Sequence, residues 1–126
     1  MIHLDTNFVI MSLVPGTTQD TQLRDWLAAG ETVGVDAIVW SEFLCGPLTP
    51  QQRISAEALF QDVQPFVARD AALAAELFNA GGRRRGSLTD CMIAAVCIRQ
   101  NVPIATANVA DFQPFVAAGL KILSVA

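Results

Sequence analysis

Short apolar runs alternate with longer segments of helical periodicity along this chain, and polar or glycine- and proline-containing breaks separate them. Residues 1–4 are apolar and stop at the turn formers Asp5-Thr6-Asn7, which predicts a first strand. Residues 8–13 read as a short helix ended by Pro15-Gly16. A second helix runs from Thr18 or Asp20 to Ala29, with Leu23, Trp26 and Leu27 at helical spacing and Gly30 as its stop. Residues 32–35 form a strand candidate, and residues 37–45 a helix closed by Gly46-Pro47. Pro50 opens another helix, with Ile54, Ala58 and Leu59 expected on one face. Residues 63–67 predict a weak edge strand, because Pro65 interrupts them. Asp70 begins an alanine-rich helix that stops near Gly81-Gly82, and residues 87–100 carry the strongest helical pattern of the chain. A strand over 103–106, a helix over 110–118 and a last strand over 121–125 complete the order.

Strands that alternate with helices predict an α/β domain, a largely parallel sheet of four to five strands with helices on both faces. At 126 residues the chain fits one domain, residues 1–126, and buries enough surface to stand without disulfides. Its 52% hydrophobic and 16% charged residues point to faces buried on both sides of a sheet, or to a surface covered by a partner. The net charge of −4 argues against generic duplex DNA binding, which depends on neutralising phosphates with lysine and arginine. Cys45, Cys91 and Cys97 are odd in number and lack CxxC spacing, which fits a reduced, cytoplasmic setting. No secretory pattern opens the chain, since Asp5 falls where an apolar stretch would begin, and no apolar run is long enough to span a bilayer.

The acids fall where an open parallel sheet binds ligands, beyond the carboxyl ends of strands. The first strand ends on Asp5-Thr6-Asn7 and the 103–106 strand on Thr106-Ala107-Asn108, with Asp111 a turn further on. Neighbouring strands would open both clusters onto one crevice. Asp5 alone reads equally well as a turn residue or helix cap. Glu42 has Ile38, Val39 and Cys45 at helical spacing, which places it against apolar surface where a carboxylate needs a partner; the alternative is an exposed glutamate near a helix end. Asp90 has two readings, because Ser87-Leu88-Thr89-Asp90 also matches a capping box.

If Asp5, Glu42, Asp90 and Asp111 converge, they cannot all stay ionised without a counter-charge. Oxygen-only donors favour Mg2+, with Mn2+ as substitute, over zinc. His3, the single histidine, is expected in the sheet or core and not as a ligand. Without these four acids the chain would carry eight positive and eight negative side chains, so the site accounts for its net acidity. Such a cluster suits metal-assisted phosphodiester hydrolysis. Asp5 and Asp90 are expected as direct metal ligands, with Glu42 holding the metal or a water and Asp111 completing the cluster. Thr6, Asn7, Thr106 and Asn108 would orient them. Arg83, Arg84 and Arg85 precede the Asp90 helix as candidate phosphate contacts, or as a solvated loop favouring the preceding helix end.

Leu4-Asp5-Thr6-Asn7, Ser41-Glu42-Phe43, the run from Leu88-Thr89-Asp90 to Ala95, and Thr106-Ala107-Asn108 through Asp111-Phe112 resemble, in order, the signature segments of PIN domains. Within that family the chain is similar to the toxin half of bacterial toxin–antitoxin pairs of the VapC type. The resemblance implies a three-layer α/β/α sandwich and a Mg2+- or Mn2+-dependent endoribonuclease that inhibits translation or growth by cutting RNA. It also implies a homodimer, and a cognate VapB-like antitoxin that blocks the acidic cleft in a hetero-oligomer. The family's roles fall on Asp5, Glu42 and Asp90; position 108 is asparagine where some relatives carry an acid, which leaves the fourth role to Asp111.

Other acidic phosphoryl-transfer domains fail at named residues. A haloacid-dehalogenase-like phosphatase wants a second aspartate at position 7, which is asparagine. A response-regulator receiver wants an aspartate where Phe66-Val67-Ala68 stands, and a lysine after its fifth strand, whereas Lys121 precedes the last one. A PIN-like scaffold that binds RNA or protein without turnover is the remaining alternative.

Overall fold

The computed structural model describes residues 1–125. Four short strands, β1 (Ile2–Leu4), β2 (Val33–Gly34), β3 (Ile104–Thr106) and β4 (Ile122–Ser124), form one sheet in the order β2-β1-β3-β4. Every pairing is parallel. Seven helices flank the sheet: α1 (Thr6–Ser12), α2 (Thr18–Ala28), α3 (Ala37–Cys45), α4 (Pro50–Leu59), α5 (Ala68–Ala80), α6 (Leu88–Gln100) and α7 (Val109–Phe112). This is the expected α/β/α sandwich. β1 and β3 are buried at every position, as central strands covered on both faces must be.

Local chemistry sets the helix limits. Asp5, Thr17, Asp36 and Thr49 each accept a backbone N–H in the first turn of the helix they precede. Thr49 and Gln52 complete a capping box at α4, where Pro50 occupies the first helical position. Asn101 ends α6 in the left-handed conformation (φ 54°), which asparagine tolerates better than most side chains. α6 buries Cys91, Ile93, Ala94, Ala95, Val96 and Cys97, so it is nearly enclosed by its neighbours. All three cysteines are free, and Cys91 and Cys97 pack as small hydrophobes.

Several expectations need correction. Residues 63–67 form no strand; only Gln64 bridges to Asp36, in parallel, beside the β2 edge. The tertiary amide of Pro65 lacks the N–H that a ladder requires. The single helix expected over 110–118 is α7 followed by a 3-10 segment, Gln113–Ala118, with Pro114 at its start. On α4 the core contacts come from Ala56 and the half-buried Leu59, with Phe60 just beyond the helix, whereas Ala58 is exposed and Ile54 is 59% exposed. Helix α1 starts at Thr6, two residues early, because Asp5 caps it.

Polar ties fasten the periphery. The Arg99 guanidinium donates to both oxygens of buried Asp70 at 2.6 and 3.0 Å and to the Pro65 carbonyl at 3.0 Å, which binds α6 to α5 and to the preceding loop. His3, expected in the sheet or core, lies on β1 fully buried, its Nε2 2.8 Å from Asp36 Oδ2. Among the described residues no helix is long and apolar enough to cross a membrane.

Candidate functional site

The β1–β3 register sets Leu4 opposite Ala105, so the next residues, Asp5 and Thr106, meet at the carboxyl edge of the sheet. Asp5 is only 4% exposed. Its Oδ1 accepts the Phe8 N–H at 2.7 Å, and its Oδ2 accepts the Thr106 hydroxyl at 2.5 Å. That hydroxyl in turn accepts the Asn108 N–H at 2.8 Å. A relay from the loop after β3 therefore fixes the orientation of the Asp5 carboxylate. Asp5 is a helix cap and a pocket residue at once, so the two readings of the sequence are not exclusive.

Glu42 reaches the same edge from α3, where the Thr6 hydroxyl donates to its Oε1 at 2.6 Å. It is exposed, contrary to the expectation that it packs against apolar surface. Its side chain opens into the crevice, while Val39 and Phe43 take the core-facing side of the helix. Asp90 stands in the first turn of α6. The capping-box reading fails there. Ser87 adopts helical backbone angles (φ −90°, ψ −9°), makes no side-chain cap bond, and donates its hydroxyl to the Arg84 carbonyl at 2.7 Å. Asp111 stands in the first turn of α7.

These elements enclose a pocket of about 120 Å³, roomy enough for several water molecules. Asp5, Glu42, Asp90 and Asp111 line it together with Thr6, Asn7 and Asn108, and Ile93 and Phe112 supply its apolar wall. The four predicted acids thus come together, and Asn108 and Asp111 both face the same space. Thr106 supports the pocket from behind as a fully buried residue.

The electrostatics record the crowding. Burial pushes the Asp90 carboxyl up from its ordinary 3.8 to about 6, and the charges of Asp111, Glu42 and Asp5 push the same way, with Arg84 opposing. Burial also raises Asp5; its bonds from Thr106 and Phe8 oppose the rise, and Glu42 and Asp111 add to it. Among the described residues no three His, Cys, Asp or Glu side chains are drawn together as a ready metal-holding group. The donor set is carboxylate, hydroxyl and amide oxygen, without histidine or cysteine, and so matches a hard divalent cation in chemistry.

Of the three consecutive arginines, Arg83 is engaged elsewhere. Its guanidinium donates to Asn79 Oδ1 at 2.7 Å and lies 5.6 Å from the centre of the Phe78 ring. Arg84 lies near enough to lower the Asp90 carboxyl. Arg85 is exposed. Asp36 stands outside the residues singled out from the sequence; its tie to His3 spans 33 positions and leaves no local signal.

The sequence pattern of the PIN domain family matches residues 2–113, most of the chain. The chain belongs to the PIN-domain family. No curated protein matches it. Among solved structures, this PIN domain is similar to a chain of VapBC2 from Rickettsia felis bound to a DNA fragment from its promoter, with 20% identity, full coverage of both chains (100% and 100%) and a TM-score of 0.77. It is similar to a chain of DNA-bound VapBC from Salmonella typhimurium, with 20% identity, coverage of 98% and 96%, and a TM-score of 0.75. It is also similar to a chain of FitAcB from Neisseria gonorrhoeae, with 21% identity, coverage of 98% and 97%, and a TM-score of 0.73. At these identities the likeness establishes the fold that the PIN-domain match also gives.

Proposed function

We propose that this PIN domain is a metal-dependent endoribonuclease of the VapC toxin type, acting as a single-domain cytoplasmic protein that cuts RNA and thereby arrests growth. The observation that carries the reading is the convergence of Asp5, Glu42, Asp90 and Asp111 on one pocket at the carboxyl edge of a parallel sheet. Solved structures similar in fold are described as VapBC and toxin–antitoxin complexes, which supports a cognate VapB-like antitoxin as partner in an oligomeric assembly; a homodimer of this chain within that assembly is part of the proposal.

Asp5 and Asp90 would hold a Mg2+ or Mn2+ ion, with Glu42 and Asp111 completing the set. A bound ion of this kind would supply positive charge to the phosphoryl group and acidify an attacking water. The chain's own residues do the rest. The Asn108–Thr106–Asp5 relay and the Thr6–Glu42 bond orient two carboxylates from different elements. Ile93 and Phe112 close one wall against bulk water. The charged side chains that line the pocket are all acidic and would repel a polyanion, so RNA requires cation binding and a basic contact beside it. Arg84 is the best placed of the three arginines to hold a phosphate, Arg85 is exposed, and Arg83 would first have to leave Asn79.

Incubating wild type and Asp5→Ala with structured and single-stranded RNAs in Mn2+ tests the reading. Mn2+-dependent cutting that disappears in Asp5→Ala is the expected result. Intact RNA with wild type, across every substrate, would instead point to a binding module without turnover.

A further inference from the structure

We propose that the buried His3–Asp36 hydrogen bond is a positioning device that sets Glu42 against Asp5 by fastening α3 to the central strand; the proposal rests on the carboxylate pocket being the working site.

His3 and Asp36 are both 0% exposed, and His3 Nε2 lies 2.8 Å from Asp36 Oδ2. A carboxylate only accepts, so the ring donates its Nε2–H. His3 Nδ1 remains buried without a hydrogen-bond partner. Two fully buried polar groups, one of them incompletely satisfied, are a poor way to stabilise a core; apolar side chains of similar volume would serve at least as well. What such a pair supplies is a fixed register between the elements that carry it.

Those elements carry the site. His3 and Asp5 are two residues apart on β1 and its extension, and share a face of the sheet. Asp36 divides its oxygens, Oδ2 to His3 and Oδ1 to the Val39 N–H at 2.8 Å, so the bond to the strand is also the cap of α3. The neighbouring backbone is held as well, with the Ala37 N–H donating to the Gln64 carbonyl at 2.8 Å and the Gln64 N–H to the Val35 carbonyl at 2.9 Å. Glu42 lies six residues along α3, a rise of about 9 Å. There the Thr6 hydroxyl makes the second tie between α3 and the β1–α1 segment, at 2.6 Å. Two ties about 9 Å apart fix the position and tilt of a short helix. With the first removed, the backbone bonds between Ala37, Gln64 and Val35 still act as a pivot and only the exposed Thr6–Glu42 bond opposes a tilt. A tilt of about 3° over that arm of about 9 Å would move Glu42 by about 0.5 Å, the tolerance within which a functional constellation must be held.

The double variant His3→Leu/Asp36→Ser removes the tie while filling the histidine space and retaining a good N-cap. The full chain, stripped with chelator, is melted and then titrated calorimetrically with Mn2+, beside wild type and His3→Gln, whose side-chain amide can restore an N–H donor. The expected result is cooperative melting near wild type, Mn2+ affinity about tenfold weaker in the double variant, and affinity near wild type in His3→Gln. Mn2+ affinity equal to wild type in the double variant overturns the proposal, because the pair then serves packing alone. Loss of cooperative melting overturns it too, since the pair is then a folding element. Wild type that binds no Mn2+ rejects the metal reading itself, and with it any site for the pair to position.

Discussion

Asp90→Asn is expected to make the metal-free protein more stable. Burial, reinforced by Asp111, Glu42 and Asp5, lifts the Asp90 carboxyl from 3.8 to about 6. A carboxyl whose pKa is raised by folding favours its protonated form in the native state, so ionising it weakens the fold. The penalty is absent below the unfolded value, grows as pH rises through the window between 3.8 and about 6, and is fully present above it. A shift of about two units at about 1.4 kcal/mol each bounds the effect near 3 kcal/mol; partial solvation of this half-buried group brings the expected gain to about 1–3 kcal/mol. For a chain of 126 residues, each kcal/mol moves the melting midpoint by about 4 °C. The assay is thermal or urea unfolding of both proteins in chelator, at about pH 7.5 and about pH 4.5, with the variant's advantage large at the first and reduced at the second. A variant equal to or less stable than wild type at the higher pH would refute the reasoning. It would mean that the place of Asp90 in the first turn of α6 stabilises the helix by as much as its burial and acidic neighbours cost.

Other perturbations separate site from scaffold. Thr106→Val strips Asp5 Oδ2 and the Asn108 N–H of their shared partner; it should cost about 1–3 kcal/mol in unfolding assays and lower RNA cleavage at least about tenfold, whereas Thr106→Ser retains both bonds. Arg84→Ala should weaken RNA binding and reduce its salt dependence by about one phosphate contact, while Arg83→Ala, whose side chain is held by Asn79 and Phe78, should change neither. Arg99→Met leaves the buried Asp70 carboxylate without a counter-charge and with only the Val67 N–H at 2.9 Å, and should cost about 3 kcal/mol in unfolding without altering cleavage measured well below the melting temperature.

What could be read from the chain, and what could not, divides along the range of the interactions. Strand ends on Asp5 and Thr106 were legible because parallel strands are short apolar runs stopped by polar residues, and the α3 limits followed from Ala37 to Cys45 as expected. The meeting of Asp5 with Asn108 and Asp111 followed from strand order once β1 and β3 proved to be neighbours, whereas Glu42 and Asp90 are brought in by the placement of α3 and α6. Patterns with two physical solutions misled. Ser87-Leu88-Thr89-Asp90 spells a capping box, yet Ser87 turns its hydroxyl back to Arg84, which leaves Asp90 to the pocket. Apolar neighbours of Glu42 suggested burial, but the helix face that carries it opens at the sheet edge. The His3–Asp36 and Asp70–Arg99 ties join residues 33 and 29 positions apart, a separation that local periodicity does not encode.

Calorimetric titration of Mn2+ into the chelator-stripped protein, wild type against Asp5→Asn/Asp90→Asn, bears most directly on the carboxylate pocket. Saturable binding by wild type that is weakened at least about tenfold in the double variant is the predicted result. Binding of equal strength in both, or none in wild type, would contradict the assignment of this pocket as a cation-dependent RNA-cleaving centre.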